Sequence, residues 1–352
     1  MRGHGWVGAA IAGLFLLSFI GRGQWVRWEE GTFSVDVILE GLADASSQGD
    51  RTGSFHLVGQ RIVSLAPSIT ETLFIMGLGD RVVGVSRFCD WPPEVAHRPQ
   101  VGGLFDPNLE QILRLEPDLV VGLQGQPDTL WPIRKLGLPL VVVDHRSIDG
   151  LLESIGLLGR VCGRPSEAER LLEDIRQRLQ AVSLRISGRV RPKVLVCVQR
   201  NVGTGRIENV YISGREGHLG RIVQLAGGES VVPSTWAAFP MVSAESLLRL
   251  DPDVILDLVP GFCSQRLSRE QILADWQSLA GLRAVREGRV YVLDEDFVFR
   301  PSPRFILLVE KLAPLLHPEA FAQHSFSRRQ QKPPDPHTKP SGNPWGQKAD
   351  PF

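Results

Sequence analysis

The stretch "NLEQILRLEPDLVV" at residues 108–121 is written a second time, as "SAESLLRLDPDVIL", at residues 243–256. Both read as a short helix that stops at an acid, a proline and an aspartate and hands over to an all-apolar strand. Proline pushes the residue before it out of the helical region, so Pro117 and Pro252 each mark a helix end. A chain that repeats such a passage at a constant offset has two equivalent α/β units to place in space. The handover explains Pro117, Asp118, Pro252 and Asp253 but not Glu110 and Glu245, which sit in the first turn of each helix. The helix dipole stabilises a carboxylate there by about 0.3–1 kcal/mol, which on stability alone is a sufficient reason for both.

Around each passage, strands and helices alternate. "RIVSLAP" is a buried strand ending at Pro67. "SITETLFIMGLG" is a helix with Ser68 and Glu71 at capping-box spacing and Gly77 and Gly79 at its end. "RVVGVS", "PDLVVGL" and "LPLVVVD" are further strands, and "TLWPIRKLG" is a short helix broken by Pro132. Short apolar strands between helices predict a mostly parallel sheet covered on both faces. After a helix at 147–163, the segment beginning "RPSEAERLLEDIRQRLQAVSLRISG" predicts a long helix at about 166–187. Ser166 and Glu169 form its capping box, Leu171, Leu172, Ile175, Leu179 and Val182 its apolar stripe, and Gly188 its stop. At 1.5 Å per residue it is roughly 33 Å long, enough to bridge two lobes. The alternation then restarts with "KVLVCVQ" and closes with "RVYVLD" and "SPRFILLVEKLAPLL". "GTGRIENVYISG" is glycine-bearing but has no nucleotide-loop spacing and precedes no clear helix.

A length of 352 residues suits two domains, and a hydrophobic fraction of 43% can fill a core in each. Lys plus Arg and Asp plus Glu are both 39, which argues against a nucleic-acid binder. Cys89, Cys162, Cys197 and Cys263 form no CxxC and read as buried thiols with room for one disulfide. Residues 1–23 carry an apolar run from Trp6 to Ile20 between Arg2 and Arg22, which suits a signal peptide or an uncleaved membrane anchor. Residues 24–59 read as a linker holding a short strand within "TFSVDVIL". Residues 319–352, rich in Pro, Lys, Gln and Ser, read as a disordered tail.

The order of the segments "RIVSLAPSITETLFIMGLGDRVVGVSRFCDWPPEV", "VGGLFDPNLEQILRLEPDLVVG", "GGESVV", "FPMVSAESLLRLDPDVIL" and "RPSPRFILLVEKLAPLL" resembles the periplasmic substrate-binding proteins of ABC importers for vitamin B12, haem and ferric siderophores. The likeness covers about residues 60–318 and is nearest the cobalamin-binding branch. It implies an α/β fold of two similar lobes with mostly parallel sheets, joined by one long bridging helix, with the ligand cleft between the lobes. The lobes would be 60–146 and 189–318, with 147–188 holding a lobe helix and the bridge. The family docks one glutamate from each lobe on arginines of the membrane permease, and the matching positions are Glu110 and Glu245. The implied partners are the permease, its ATPase and a metal-chelate ligand, for a monomer with no intrinsic cofactor and no nucleic acid.

A corrinoid or porphyrin needs aromatic and aliphatic walls with a few polar fixings. Turn-rich segments offer Phe88 and Trp91, Leu104 and Phe105, Trp236 and Phe239, and Phe297 and Arg300. Phe88, Trp91, Phe239 and Phe297 also match family pocket positions. Leu104 and Leu123 stand where relatives place tryptophan, which leaves corrinoid, haem and ferric siderophore all in play. Arg304 is expected to hold the final helix to its own lobe. His145, after the strand "LPLVVVD", is the histidine best placed to meet a bound metal, against a plain solvated or capping role. No set of histidines and carboxylates has the spacing of a bare-metal receptor, so no metal site is assigned. No G-x-S-x-G elbow, phosphate loop or dinucleotide fingerprint is present. The expectation is therefore a non-catalytic receptor, with an α/β enzyme or a sensor using the same cleft as the alternative.

Overall fold

The strands β1 (Gln24–Val26) and β2 (Val37–Leu39) pair antiparallel at one side of the first sheet, with β1 at its edge. The rest of that sheet is β3 (Ile62–Ser64), β4 (Val82–Val85), β5 (Leu119–Leu123) and β6 (Leu140–Val143). The order is β1-β2-β6-β5-β3-β4, with β3 to β6 all parallel. This is a computed structural model, and it describes residues 24–26, 37–39, 59–261 and 267–322, the first two segments by their backbone only. The expected leader at 1–23, Cys263 and the chain from 323 onward lie outside the described residues. The expected tail begins inside a helical turn, Pro318–Phe321, and Arg189 reaches Glu319 at 3.1 Å.

The second sheet is built from β7 (Lys193–Arg200), β8 (Asn209–Ile212), β9 (Glu229–Ser230), β10 (Met241–Ser243), β11 (Val254–Leu258) and β12 (Val290–Leu293). Its order is β10-β8-β7-β11-β12, with β9 beside β7. Strands β7, β11 and β12 are parallel, whereas β8 runs antiparallel to both its neighbours, β7 and β10. The segment "NVYI", assigned no element from the sequence, is thus a strand. It alternates exposed and buried residues, as an antiparallel strand with one face toward solvent does.

The helices are α1 (Pro67–Ile75), α2 (Leu109–Arg114), α3 (Pro127–Lys135), α4 (Ile148–Val161), α5 (Pro165–Ile186), α6 (His218–Leu225), α7 (Ala244–Leu250), α8 (Arg269–Gln277), α9 (Arg283–Arg286), α10 (Phe305–Leu316) and α11 (Pro318–Phe321). The 22-residue α5 packs on α4 on one side and on α10 and α6 on the other. Its Leu171, Ile175 and Val182 belong to one buried cluster with Val121 and Val143 of the first sheet and Val194, Leu256 and Leu293 of the second. One apolar core therefore runs through both lobes by way of α5. Gly188, at φ 72°, ends the helix in a conformation that residues with a side chain rarely adopt.

Three local expectations are corrected. Ser68 does not cap α1, because the helix begins at Pro67 and its N-cap is Ala66, leaving Ser68 and Glu71 free for other partners. The Ser166 and Glu169 box is absent too. Helix α5 starts at Pro165, and its first turn is tied instead by Arg164 to Glu167 at 2.9 Å. Pro132 does not break α3, which runs through it. Its missing N–H forfeits a single bond, to a carbonyl in the first turn of the helix.

The repeated passage folds twice in the same way. Asn108 caps α2 by accepting from Gln111 N at 3.0 Å, and Ser243 caps α7 by accepting from Ser246 N at 3.3 Å. The acid before each proline, Glu116 or Asp251, takes a positive φ of 45° or 38°. The following aspartate then binds the backbone where the neighbouring strand starts. Asp118 accepts from Gln60 N and Arg61 N ahead of β3, and Asp253 accepts from Lys193 N at the start of β7.

Candidate ligand-binding cleft

Parallel strands end on the same side of their sheet, and in open α/β sheets ligands bind beyond those carboxyl ends. Here the segments that leave the strand ends of the two lobes meet. β3 runs into α1, which carries Glu71. β4 runs into residues 86–92, which carry Phe88, Asp90 and Trp91. β12 of the other lobe runs into residues 294–304, which carry Asp296, Phe297, Arg300 and Arg304.

Their meeting point is an ion cluster. Arg304 donates from Nε to Glu71 Oε2 at 2.9 Å and from Nη2 to Glu71 Oε1 at 2.5 Å. It also donates to Asp296 at 3.1 and 3.2 Å. Arg300 reaches Glu71 Oε1 at 3.2 Å and grips Asp90 with both terminal nitrogens, Nη2 to Oδ2 at 2.6 Å. The side chains of Glu71 and Arg304 are 1% and 4% exposed, and that of Asp90 is 58% exposed. The cluster thus has a buried layer, Glu71 with Arg304, and a solvent-facing layer, Arg300 with Asp90. Burial works against the charge on Arg304, but the hydrogen bonds and charges of Glu71 and Asp296 outweigh it and raise its pKa. Burial alone would raise the Asp90 carboxyl, but Arg300 holds it below its ordinary value. A charge-assisted, two-pronged pair of this kind is directional as well as strong.

Two aromatic rings rest on the same arginine. The Arg304 guanidinium carbon lies 4.5 Å from the ring centroid of Trp91 and 4.8 Å from that of Phe297. Both rings are half-buried. Of the residues expected in the pocket, the structure therefore gathers Trp91, Phe297 and Arg300 at one place. Phe88 is exposed on the same segment as Trp91, with the Arg87 guanidinium 5.3 Å from its ring. Leu104 and Leu123 are half-buried against the main core. Phe105 is exposed, and its carbonyl accepts from Thr129 Oγ1 at 3.4 Å. Trp236 and Phe239 are exposed on the segment leading into β10. None of Glu71, Asp90 and Asp296 was expected at the ligand site from the sequence. Arg304 does not merely hold α10 to its own lobe, because its strongest partner, Glu71, belongs to the other one.

His145 is no accessible ligand. It is buried, and its Nδ1 shares a 2.8 Å hydrogen bond with Ser68 Oγ. Burial lowers its pKa to about 4, so it is neutral at physiological pH. Cys89, Cys162 and Cys197 are buried free thiols, and burial pushes Cys162 up to about 12. Among the described residues no three His, Cys, Asp or Glu side chains converge to hold a metal ion.

The periplasmic binding protein family profile matches residues 62–297, more than half of the chain. The chain belongs to that family. A vitamin B12-binding protein of Vibrio cholerae serotype O1 is 30% identical over 260 residues, covering 73% of this chain and 89% of that one. The crystal structure of the periplasmic vitamin B12 binding protein of Vibrio cholerae superposes with a TM-score of 0.63 at 26% identity, covering 75% of this chain and 98% of that one. The periplasmic haem-binding protein of Roseiflexus sp. RS-1, in its apo form, gives 0.63 at 29%, covering 74% and 99%. The two-lobed α/β architecture with a bridging helix is shared with these structures.

Proposed function

We propose that the protein is the extracytoplasmic substrate-binding component of an ABC importer, that it is not an enzyme, and that its cargo is a corrinoid of the cobalamin type. The observation that carries the choice of cargo is the charge balance at the cleft floor. Arg300 and Arg304 are already matched by Glu71, Asp90 and Asp296, so the floor offers aromatic surface and no unmatched cation. Haem presents two carboxylates and a ferric catecholate is an anion. Either would have to displace a buried or two-pronged pair. A corrinoid rimmed by neutral amides meets no such demand, and Trp91 and Phe297 suit its flat, partly apolar body.

A haem receptor would also call for an accessible axial ligand. His145 is buried, and the two tyrosines, Tyr211 and Tyr291, lie within strands β8 and β12 and not on the segments that carry Trp91 and Phe297. Vitamin B12-binding and haem-binding proteins both stand among the relatives, and the cleft chemistry favours the first. Isothermal titration of the purified protein with cyanocobalamin, haemin and a ferric catecholate tests this. Tight binding of cyanocobalamin alone supports it, and binding of haemin or the catecholate in its place overturns the assignment of cargo.

Delivery requires a permease, and Glu110 and Glu245 are the proposed contacts. Each is exposed in the first turn of the repeated helix and points a carboxylate outward from its own lobe, with side-chain exposures of 73% and 77%. Charged pairs at such a rim set orientation and association rate more than affinity.

A further inference from the structure

We propose that Arg304 is a positioning residue for the ligand: it holds Trp91 of one lobe and Phe297 of the other in register, so that cleft geometry depends on a side chain the ligand does not touch. The inference rests on the reading of the cleft as the ligand site.

Three observations meet at this residue. The N–H edges of its guanidinium are taken by Glu71 and Asp296, which leaves the flat faces of the group for the two rings at 4.5 and 4.8 Å. With its side chain 4% exposed, it lies beneath the rings rather than at the cleft surface. The segment bearing Trp91 is pinned to the other lobe twice, since the preceding Asp90 is gripped by Arg300, four residues before Arg304. The Trp91 ring therefore takes a contact from the partner lobe, while the segment before it is anchored in its own lobe by the buried Cys89. Phe297 has a second anchor, because it also packs on the main core. Trp91 is thus the ring that moves if Arg304 is changed.

Lysine can replace the charge but not the function. An ammonium group is a compact point charge without the planar fork, so it can pair with Glu71 but cannot support two rings and two carboxylates at once.

The test uses the full-length protein labelled with 5-fluorotryptophan, with the Trp91 fluorine resonance assigned by its loss in Trp91→Phe. Arg304→Lys and Glu71→Gln are compared with wild type, first ligand-free and then titrated with cyanocobalamin. Arg304→Lys is expected to keep the wild-type far-ultraviolet circular dichroism, to shift and broaden the Trp91 resonance while that of Trp276 stays in place, and to raise the cyanocobalamin Kd at least tenfold. Glu71→Gln, which leaves the guanidinium between its rings, is expected to move the resonance less and the Kd by a few-fold. A folded Arg304→Lys protein with an unmoved Trp91 resonance, or with a moved resonance and wild-type Kd, overturns the proposal. If Arg304→Lys does not fold, Glu71→Gln decides in the same way, a static Trp91 resonance being the overturning result. If the wild type itself ignores cyanocobalamin, the assignment of cargo fails separately. The ligand-free Trp91 resonance then decides alone: movement supports the positioning role and its absence overturns it.

Discussion

Glu71 Oε2 accepts a 2.9 Å hydrogen bond from Arg304 Nε across the junction of the two lobes, with both side chains almost wholly buried. A buried pair adds little net stability over apolar packing, but breaking one leaves a stranded charge. Glu71→Ala is expected to lower the unfolding free energy by about 3–5 kcal/mol. The double variant Glu71→Ala with Arg304→Ala should fall short of the sum of the two single losses, because it strands no partner. Urea denaturation of all four proteins checks this, and strict additivity would mean that the two groups do not act as a pair.

Asp90 matches Arg300 at the solvent-facing layer of the cluster. Asp90→Asn removes that two-pronged match and leaves Arg300 only Glu71 at 3.2 Å and Asp296 at 3.6 Å, both shared with Arg304. The ratio of haemin affinity to cyanocobalamin affinity should rise about tenfold, a change of about 1.4 kcal/mol. Competition titrations give the ratio directly. An unchanged ratio would show that carboxylate recognition is not what the pairing suppresses.

The repeated passage was legible because its signals are local. Pro117 and Pro252 each follow the last turn of a helix, and the apolar runs after them pack as buried strands. The ion cluster was not legible for the opposite reason. Ser68 and Glu71 have the spacing of a capping box, yet Glu71 serves an arginine 233 residues away. One signal was available, since a glutamate turned inward on a helix as apolar as α1 requires a partner. Phe297 and Trp91 could be read as pocket aromatics from their segments, but the arginine that joins them could not. Strand β8 was missed because four residues of alternating burial carry too short a pattern to separate from a loop.

Glu110 and Glu245 each pair with an arginine four residues on, Arg114 at 2.6 Å and Arg249 at 2.5 Å. Exposed pairs of this spacing contribute about 0.3–0.5 kcal/mol each. Glu110→Ala with Glu245→Ala should therefore melt within a few degrees of wild type and bind ligand with wild-type affinity. Uptake by cells carrying the cognate permease should be abolished. Lost ligand binding would move both residues from the docking face into the pocket.

His145 sets a limit on acid stability. Its pKa is lowered by burial from 6.5 to about 4, against a weaker opposing pull from Asp144. Between those values the unfolded chain holds a proton that the folded protein does not, so stability is full above about pH 6.5 and drains away as pH falls toward 4. At 1.36 kcal/mol per unit the loss from this one group is about 3 kcal/mol. His218 is lowered to about 4 by burial as well and adds a loss of the same sign. His145→Gln keeps a polar partner for Ser68 but cannot titrate. Its unfolding free energy, from urea curves between pH 7 and 4, should therefore fall about half as steeply as that of wild type over the histidine window. Equal slopes for the two proteins would mean that His145 takes up its proton without unfolding the site around Ser68.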